Sequence, residues 1–197
     1  SRTARTAPTP TAPLTTAAPQ SPAATEARSP RNANYSIDVD LDAASRTITG
    51  REVVTWRNIS THPTSELRFH LYWNAWRNAE STWLRERRLG GNTTTPRPDA
   101  WGSTDIKGLH VIAPDRSYDL ASRVRFIAPD DGNTADRTVA TVSLPQPVTP
   151  NGTVDIDIEW SAKIPRPFAR TGYIDDYYFF GQWFPKIGVL EEGGGNP

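Results

Sequence analysis

Short runs that alternate apolar and polar residues, each stopped by a turn signal, limit what this chain can fold into. After Pro150-Asn-Gly152, the residues Val154, Ile156, Ile158 and Trp160 alternate with Asp155, Asp157, Glu159 and Ser161. A period of two lines one face of a pleated strand with apolar groups and does not suit a helix. Tyr35, Ile37, Val39 and Leu41 alternate in the same way with Ser36, Asp38, Asp40 and Asp42. Asp42 to Arg46 reads as a turn, and Thr47–Asn58 as a second strand antiparallel to the first. Glu66–Tyr72 alternates again, with Leu67, Phe69 and Leu71 on one face and His70 on the other beside Arg68 and Tyr72. Gly108–Ala113, Arg123–Ala128 and Thr138–Leu144 are further strands, each ended by Pro or Asp-Gly signals. A polar cluster at Asn78–Thr82, helix formers and Gly90 predict one short helix with a glycine stop. About seven or more short strands with one helix predict an all-β fold, a saddle-like antiparallel sheet or β-sandwich, and not an α/β fold.

Residues 1–33 have another character. Pro8, Pro10, Pro13, Pro19, Pro22 and Pro30 stand among Ala, Thr and Ser, with no aromatic residue. Such a segment buries too little apolar area to offset its ordering entropy, so it reads as a disordered linker. The ordered domain is expected over 34–190, with 191–197 a loop leading onward. The 22 basic and 22 acidic residues balance. A balanced chain lacks the basic surplus that nucleic acid or an anionic membrane selects, so no nucleic-acid partner is expected. The chain has no Cys, which excludes disulfides, thiolate nucleophiles and cysteine metal sites. It has no Met either, even at position 1, and so reads as starting inside its reading frame. No apolar run reaches the roughly 18 residues of a membrane span.

Aromatic residues gather most densely in Arg170–Leu190, which holds Tyr173, Tyr177, Tyr178, Phe179, Phe180, Trp183 and Phe184 around the uncharged Gln182. Gly172, Gly181, Pro185 and Gly188 shape its backbone. So many rings must be buried, either by finishing this domain's core or by forming a seam with a further domain beyond Pro197.

Catalytic chemistry is sparse. His62, His70 and His110 are the only histidines and none precedes Glu, so there is no His-Glu-x-x-His zinc helix. There is no Gly-x-Ser-x-Gly elbow and no glycine-rich phosphate loop. Asp38-x-Asp40-x-Asp42 has the opening spacing of a calcium loop, but Ala43 and Thr49 stand where that loop needs Gly and Glu, so the strand reading is preferred. Asn34, Asn58, Asn92 and Asn151 open glycosylation tripeptides, a pattern common by chance in a Ser/Thr-rich chain.

Three segments in order, Tyr35-Ser-Ile-Asp-Val-Asp-Leu-Asp, Arg46-Thr-Ile-Thr-Gly-Arg-Glu and Glu66-Leu-Arg-Phe-His-Leu-Tyr-Trp-Asn-Ala-Trp, resemble the N-terminal β domain of the aminopeptidase-N family of zinc metallopeptidases. Gly181-Gln-Trp-Phe-Pro-Lys-Ile-Gly-Val is similar to the segment that leads from that domain towards the catalytic one. The resemblance covers roughly Asn34 to Leu190. It implies a non-catalytic domain, inactive alone, that docks the catalytic domain of the same polypeptide and walls the cleft for a peptide substrate. Zinc and the Gly-x-Met-Glu-Asn motif would belong to that catalytic domain, and this chain itself would carry no cofactor. Gln182 matches the family's amine-anchoring glutamine, although Phe184 stands where many relatives have an acidic residue. The plainer reading of Gln182 is an amide satisfied by backbone. Tyr177, Tyr178, Trp183 and Phe184 would line the cleft or the docking seam, or pack as core. An extracytoplasmic location, secreted, periplasmic or anchored, goes with this reading. The rival reading is a free-standing β-sandwich module that stacks exposed aromatics on sugars or on a partner protein.

Overall fold

The computed structural model describes residues 31–92, 96–167 and 169–189. Residues 1–30 of the expected linker and all of the expected loop 191–197 lie outside the described residues.

The described chain is all-β, with antiparallel sheets and one α-helix. The first sheet joins β1 (Ala33–Asp42), β2 (Thr47–Arg57), β4 (Ser103–Ile112), β5 (Ser117–Asp119) and β8 (Thr153–Lys163) in the order β1-β2-β8-β4-β5. The second joins β3 (Thr64–His70), β6 (Arg125–Ile127), β7 (Val139–Val148) and β11 (Lys186–Ile187) in the order β11-β3-β7-β6. One apolar core takes Ile48, Val54, Trp56, Leu109, Ile156, Ile158 and Trp160 from the first sheet and Leu67, Phe69, Val142, Leu144 and Ile187 from the second. Two sheets sharing one core make a sandwich.

The longest alternation behaves as its period requires: Ile156, Ile158, Trp160 and Ala162 of β8 are buried on one face. Its opposite face differs from a purely solvated one. Asp157 is itself buried and takes two bonds from Arg51, at 2.9 and 2.6 Å, which hold its carboxyl below the usual range. Asp155 accepts from Thr55 Oγ1 at 2.6 Å. The Asp38-x-Asp40-x-Asp42 run lies in β1, and Asp42 stops that strand by accepting from Ala44 N, Ser45 N and Ser45 Oγ. Such an Asx-type turn competes with continued strand.

Gly50 is fixed by packing. A Cβ there would meet Trp160 Cζ2 at 2.3 Å, so the indole occupies space that only glycine leaves free. The helix, α1 (Thr82–Leu89), starts at Ser81, whose side chain accepts from Leu84 N, and stops at Gly90. Two buried asparagines fasten elements that are distant in sequence. Asn74 Nδ2 donates to Thr104 O and Arg137 O while its Oδ1 accepts from Thr104 N. Asn58 Nδ2 donates to His62 O and Val148 O.

Candidate functional site

After β8 the chain forms a two-stranded hairpin, β9 (Gly172–Ile174) and β10 (Tyr177–Phe179), turned by Asp175-Asp176. Ile174 pairs with Tyr177, Tyr173 with Tyr178, and Gly172 with Phe179. Paired residues share a face and the face alternates along a strand. Ile174, Tyr177 and Phe179 therefore stand on one side, exposed by 59%, 68% and 55%. Tyr173 and Tyr178 stand on the other, half-buried, with ring centroids 6.1 Å apart.

The inward side is fastened. Arg46, in the β1–β2 turn, lies over the rings of Tyr173 and Tyr178 at 4.6 and 5.4 Å, and its Nη1 donates to the Tyr178 hydroxyl. Arg166 also lies over Tyr173, at 5.5 Å. Thr171 Oγ1 donates to Phe179 O at 3.2 Å. Gly172 has φ 138°, and a Cβ there would meet Pro167 Cα at 2.8 Å, so no side chain can stand opposite Phe179. Tyr177 and Phe179, two residues apart on one strand, are offset by roughly 7 Å along it.

Beyond the hairpin the chain crosses back over the core as a strap. Phe180 meets Trp73 edge-on at 5.6 Å, and Trp73 Nε1 donates to Gly181 O. Gln182 sits in the left-handed region (φ 51°) and is exposed. Trp183 packs on Trp160 at 5.6 Å, and Phe184 on Tyr35 at 5.3 Å. The Tyr35 hydroxyl accepts from Ile187 N–H at 3.0 Å, and β11 then pairs Lys186 with His70 of β3. His70 stacks on Tyr72 at 5.1 Å, and its pKa is lowered by burial and then by Lys186.

Glu52 lies in this same core, fully buried. Burial pushes its pKa from 4.5 to about 8; the Trp160 indole N–H pulls the other way without closing a hydrogen bond. Burial also raises Tyr35, to about 12, with Glu52 adding to the rise.

Of the residues singled out from the sequence, Tyr177 and Gln182 are exposed, while Tyr178, Trp183 and Phe184 face inward and are half-buried. Tyr177 and Tyr178 are neighbours in sequence but point to opposite faces. Phe179 and Ile174 share the outward face with Tyr177 and escape a reading by aromatic density alone; the two-residue period starting from Tyr177 is the signal that finds Phe179. Rings from Phe180 onward pack against this domain's core, whereas those of the outward face do not.

The chain matches no family model and no curated protein. Among solved structures, it is similar to a family IIIa CBD from Clostridium cellulolyticum, at 14% identity and TM-score 0.29 over 66% of this chain and 71% of that one. It is also similar to the CBM3a-L domain of the scaffoldin cipA from the cellulosome of Clostridium thermocellum, at 10% identity and TM-score 0.34 over 84% and 93% of the two chains. These are carbohydrate-binding modules, a family different from the N-terminal domain of aminopeptidase N. The expectation of an aminopeptidase domain, with its peptide substrate, adjoining catalytic domain and zinc, is corrected accordingly. At these TM-scores the likeness does not say what this chain binds. Among the described residues no group of three or more His, Asp or Glu could hold a metal ion, and no helix is long and apolar enough to cross a membrane.

Proposed function

We propose that this domain is a carbohydrate-binding β-sandwich module whose contact surface is the outward face of the β9–β10 hairpin. The observation that carries the reading is the pairing of Tyr177 and Phe179, 68% and 55% exposed, on one face of a hairpin held rigid from behind by Arg46. An aromatic face is electron-rich and attracts the slightly positive C–H groups on the apolar side of a pyranose. The exposed Asp175 and Asp176 form the turn just before Tyr177, and carboxylates there can accept hydrogen bonds from sugar hydroxyls. A protein partner is supported less well: a stable interface buries about 800 Å² per side over some 20–30 residues, far more than three side chains offer. Insoluble structural β-linked polysaccharides lie outside the cytoplasm, so the reading carries an extracytoplasmic location with it.

Retention of the protein by insoluble β-linked polysaccharides (glucan, xylan, chitin) tests the proposal. The Tyr177→Ala/Phe179→Ala double variant is expected to lose retention at least about tenfold, the loss of one to two ring contacts, with an unchanged unfolding midpoint. Equal retention of the variant, or no retention of the parent by any of the three polymers, overturns it.

A further inference from the structure

The first and second sheets have four outer strands between them, and three of these are very short. β5 and β6 have three residues each and β11 has two. The fourth, β1, has ten and pairs with β2 alone. Its register with β2 runs without a shift from Ala33 opposite Trp56 to Asp42 opposite Thr47, and it holds no Pro. Short length, bulges, prolines and inward-pointing charges are devices that blunt the edge of a sheet. β1 uses none of these four: its inward parity carries Tyr35, Ile37, Val39 and Leu41.

Arg57 N–H donates to Asn32 C=O at 2.8 Å, in that same register. Bonded and unbonded positions alternate along an antiparallel pair, so Ile37, Val39 and Leu41 turn their N–H and C=O away from β2. Among the described residues no other backbone group bonds to these three. The strap approaches β1 only near Tyr35, whose hydroxyl accepts from Ile187 N–H. From Asp38 to Asp42 every residue is exposed, Val39 by 47% and Leu41 by 45%. Asp38, Asp40 and Asp42 stand on the opposite face. Arg51, across from Asp38, gives its two bonds to Asp157, and the residue across from Asp40 is the uncharged Thr49. The open edge is therefore apolar on one face and acidic on the other. A second copy adding through its own β1 would set Asp against Asp, which is unfavourable. A strand that brings Lys or Arg to that face is favoured instead.

We propose that the edge of β1 from Ile37 to Asp42 accepts an extended segment of a partner protein in which apolar and basic residues alternate. The segment adds as a further strand of the first sheet. Its backbone pairs with Ile37, Val39 and Leu41, its apolar side chains cover Val39 and Leu41, and its cations stand beside Asp38 and Asp40. Strand addition draws affinity from main-chain bonds and specificity from alternate side chains, so it needs no broad interface. No residue of the hairpin takes part, and the proposal does not depend on what the hairpin binds.

Titration of the chain with a capped peptide of about seven residues alternating Val and Lys, followed by amide NMR, is the test. Binding should saturate and slow amide exchange at Ile37, Val39 and Leu41. The same peptide with Glu in place of Lys should not bind. Asp38→Asn/Asp40→Asn should weaken binding several-fold, since each exposed ion pair is worth a factor of up to about five. Val39→Pro removes an outward N–H without touching the β2 ladder, and should abolish binding. If Val39→Pro does not fold, the Asp double variant decides the matter. Tyr177→Ala/Phe179→Ala should bind the peptide as the parent does, so failure of the hairpin reading and failure of this one are distinguishable. No binding of the Lys peptide, equal binding of the Glu peptide, or binding that either β1 variant leaves unchanged overturns the proposal.

Discussion

Glu52 carries a carboxyl group into the core beside Trp160 and Tyr35, on the inward parity of β2 with Ile48, Val54 and Trp56. Its place was legible from that two-residue count; its protonation was not, because the packing of the strap depends on residues more than a hundred positions away. The native group keeps its proton up to about 8, whereas the unfolded chain releases it near 4.5. Between those values unfolding releases a proton, so the contribution is full below 4.5 and declines as pH rises through 8, by up to roughly 1.4 kcal/mol per pH unit. Denaturant midpoints at pH 5 and 8.5 should therefore fall with pH for the parent and much less for Glu52→Gln, which does not titrate. An equal decline in both would place the effect on other groups. Trp160 is 2% exposed and packed on Trp183, so Trp160→Ala should cost about 3–5 kcal/mol in chemical unfolding. Gly50→Ala should also be destabilising, beyond the small strand preference of alanine, because its Cβ falls on that indole.

At the scale of elements, the hairpin and strap divide the aromatic run of 172–184 into rings exposed to solvent and rings packed on the core. The long strands β1, β2 and β8 were readable, since their periodicity is local. The strands β5, β9, β10 and β11 are two or three residues long, and only pairing to a partner defines them. Taking the run as one aromatic block hid the alternation that sends Tyr178 inward and Tyr177 and Phe179 outward. Arg46 clamps the inward face of the hairpin, and cation–π contacts of its kind are worth about 1 kcal/mol each. Arg46→Ala should accelerate amide hydrogen exchange in Gly172–Phe179 while lowering global stability by only about 1–2 kcal/mol. Unchanged exchange in the hairpin would show that Thr171 and Arg166 hold it without Arg46.

On the scale of the whole molecule, two antiparallel sheets close over one core, and the chemistry is left to what stands outside it. The all-β class followed from alternation and turn signals, but the order in which strands join did not. β2 and β8 are neighbours although about a hundred residues separate them, and no local pattern encodes that register. Nor could the sequence show which rings the core would accept and which it would leave to solvent, since that depends on how many places the two sheets offer. Sheet closure places Asn58 and Asn74 as polar ties, and it leaves the outward rings of the hairpin uncovered.

Oxidative footprinting of the ring side chains, with and without an insoluble polysaccharide that retains the protein, reads this division directly. Tyr177 and Phe179 should become protected on binding, while Tyr178, Trp160 and Trp183 should react equally slowly in both states. Protection that leaves Tyr177 and Phe179 as reactive as in the free protein would contradict the assignment of the hairpin's outward face as the contact surface.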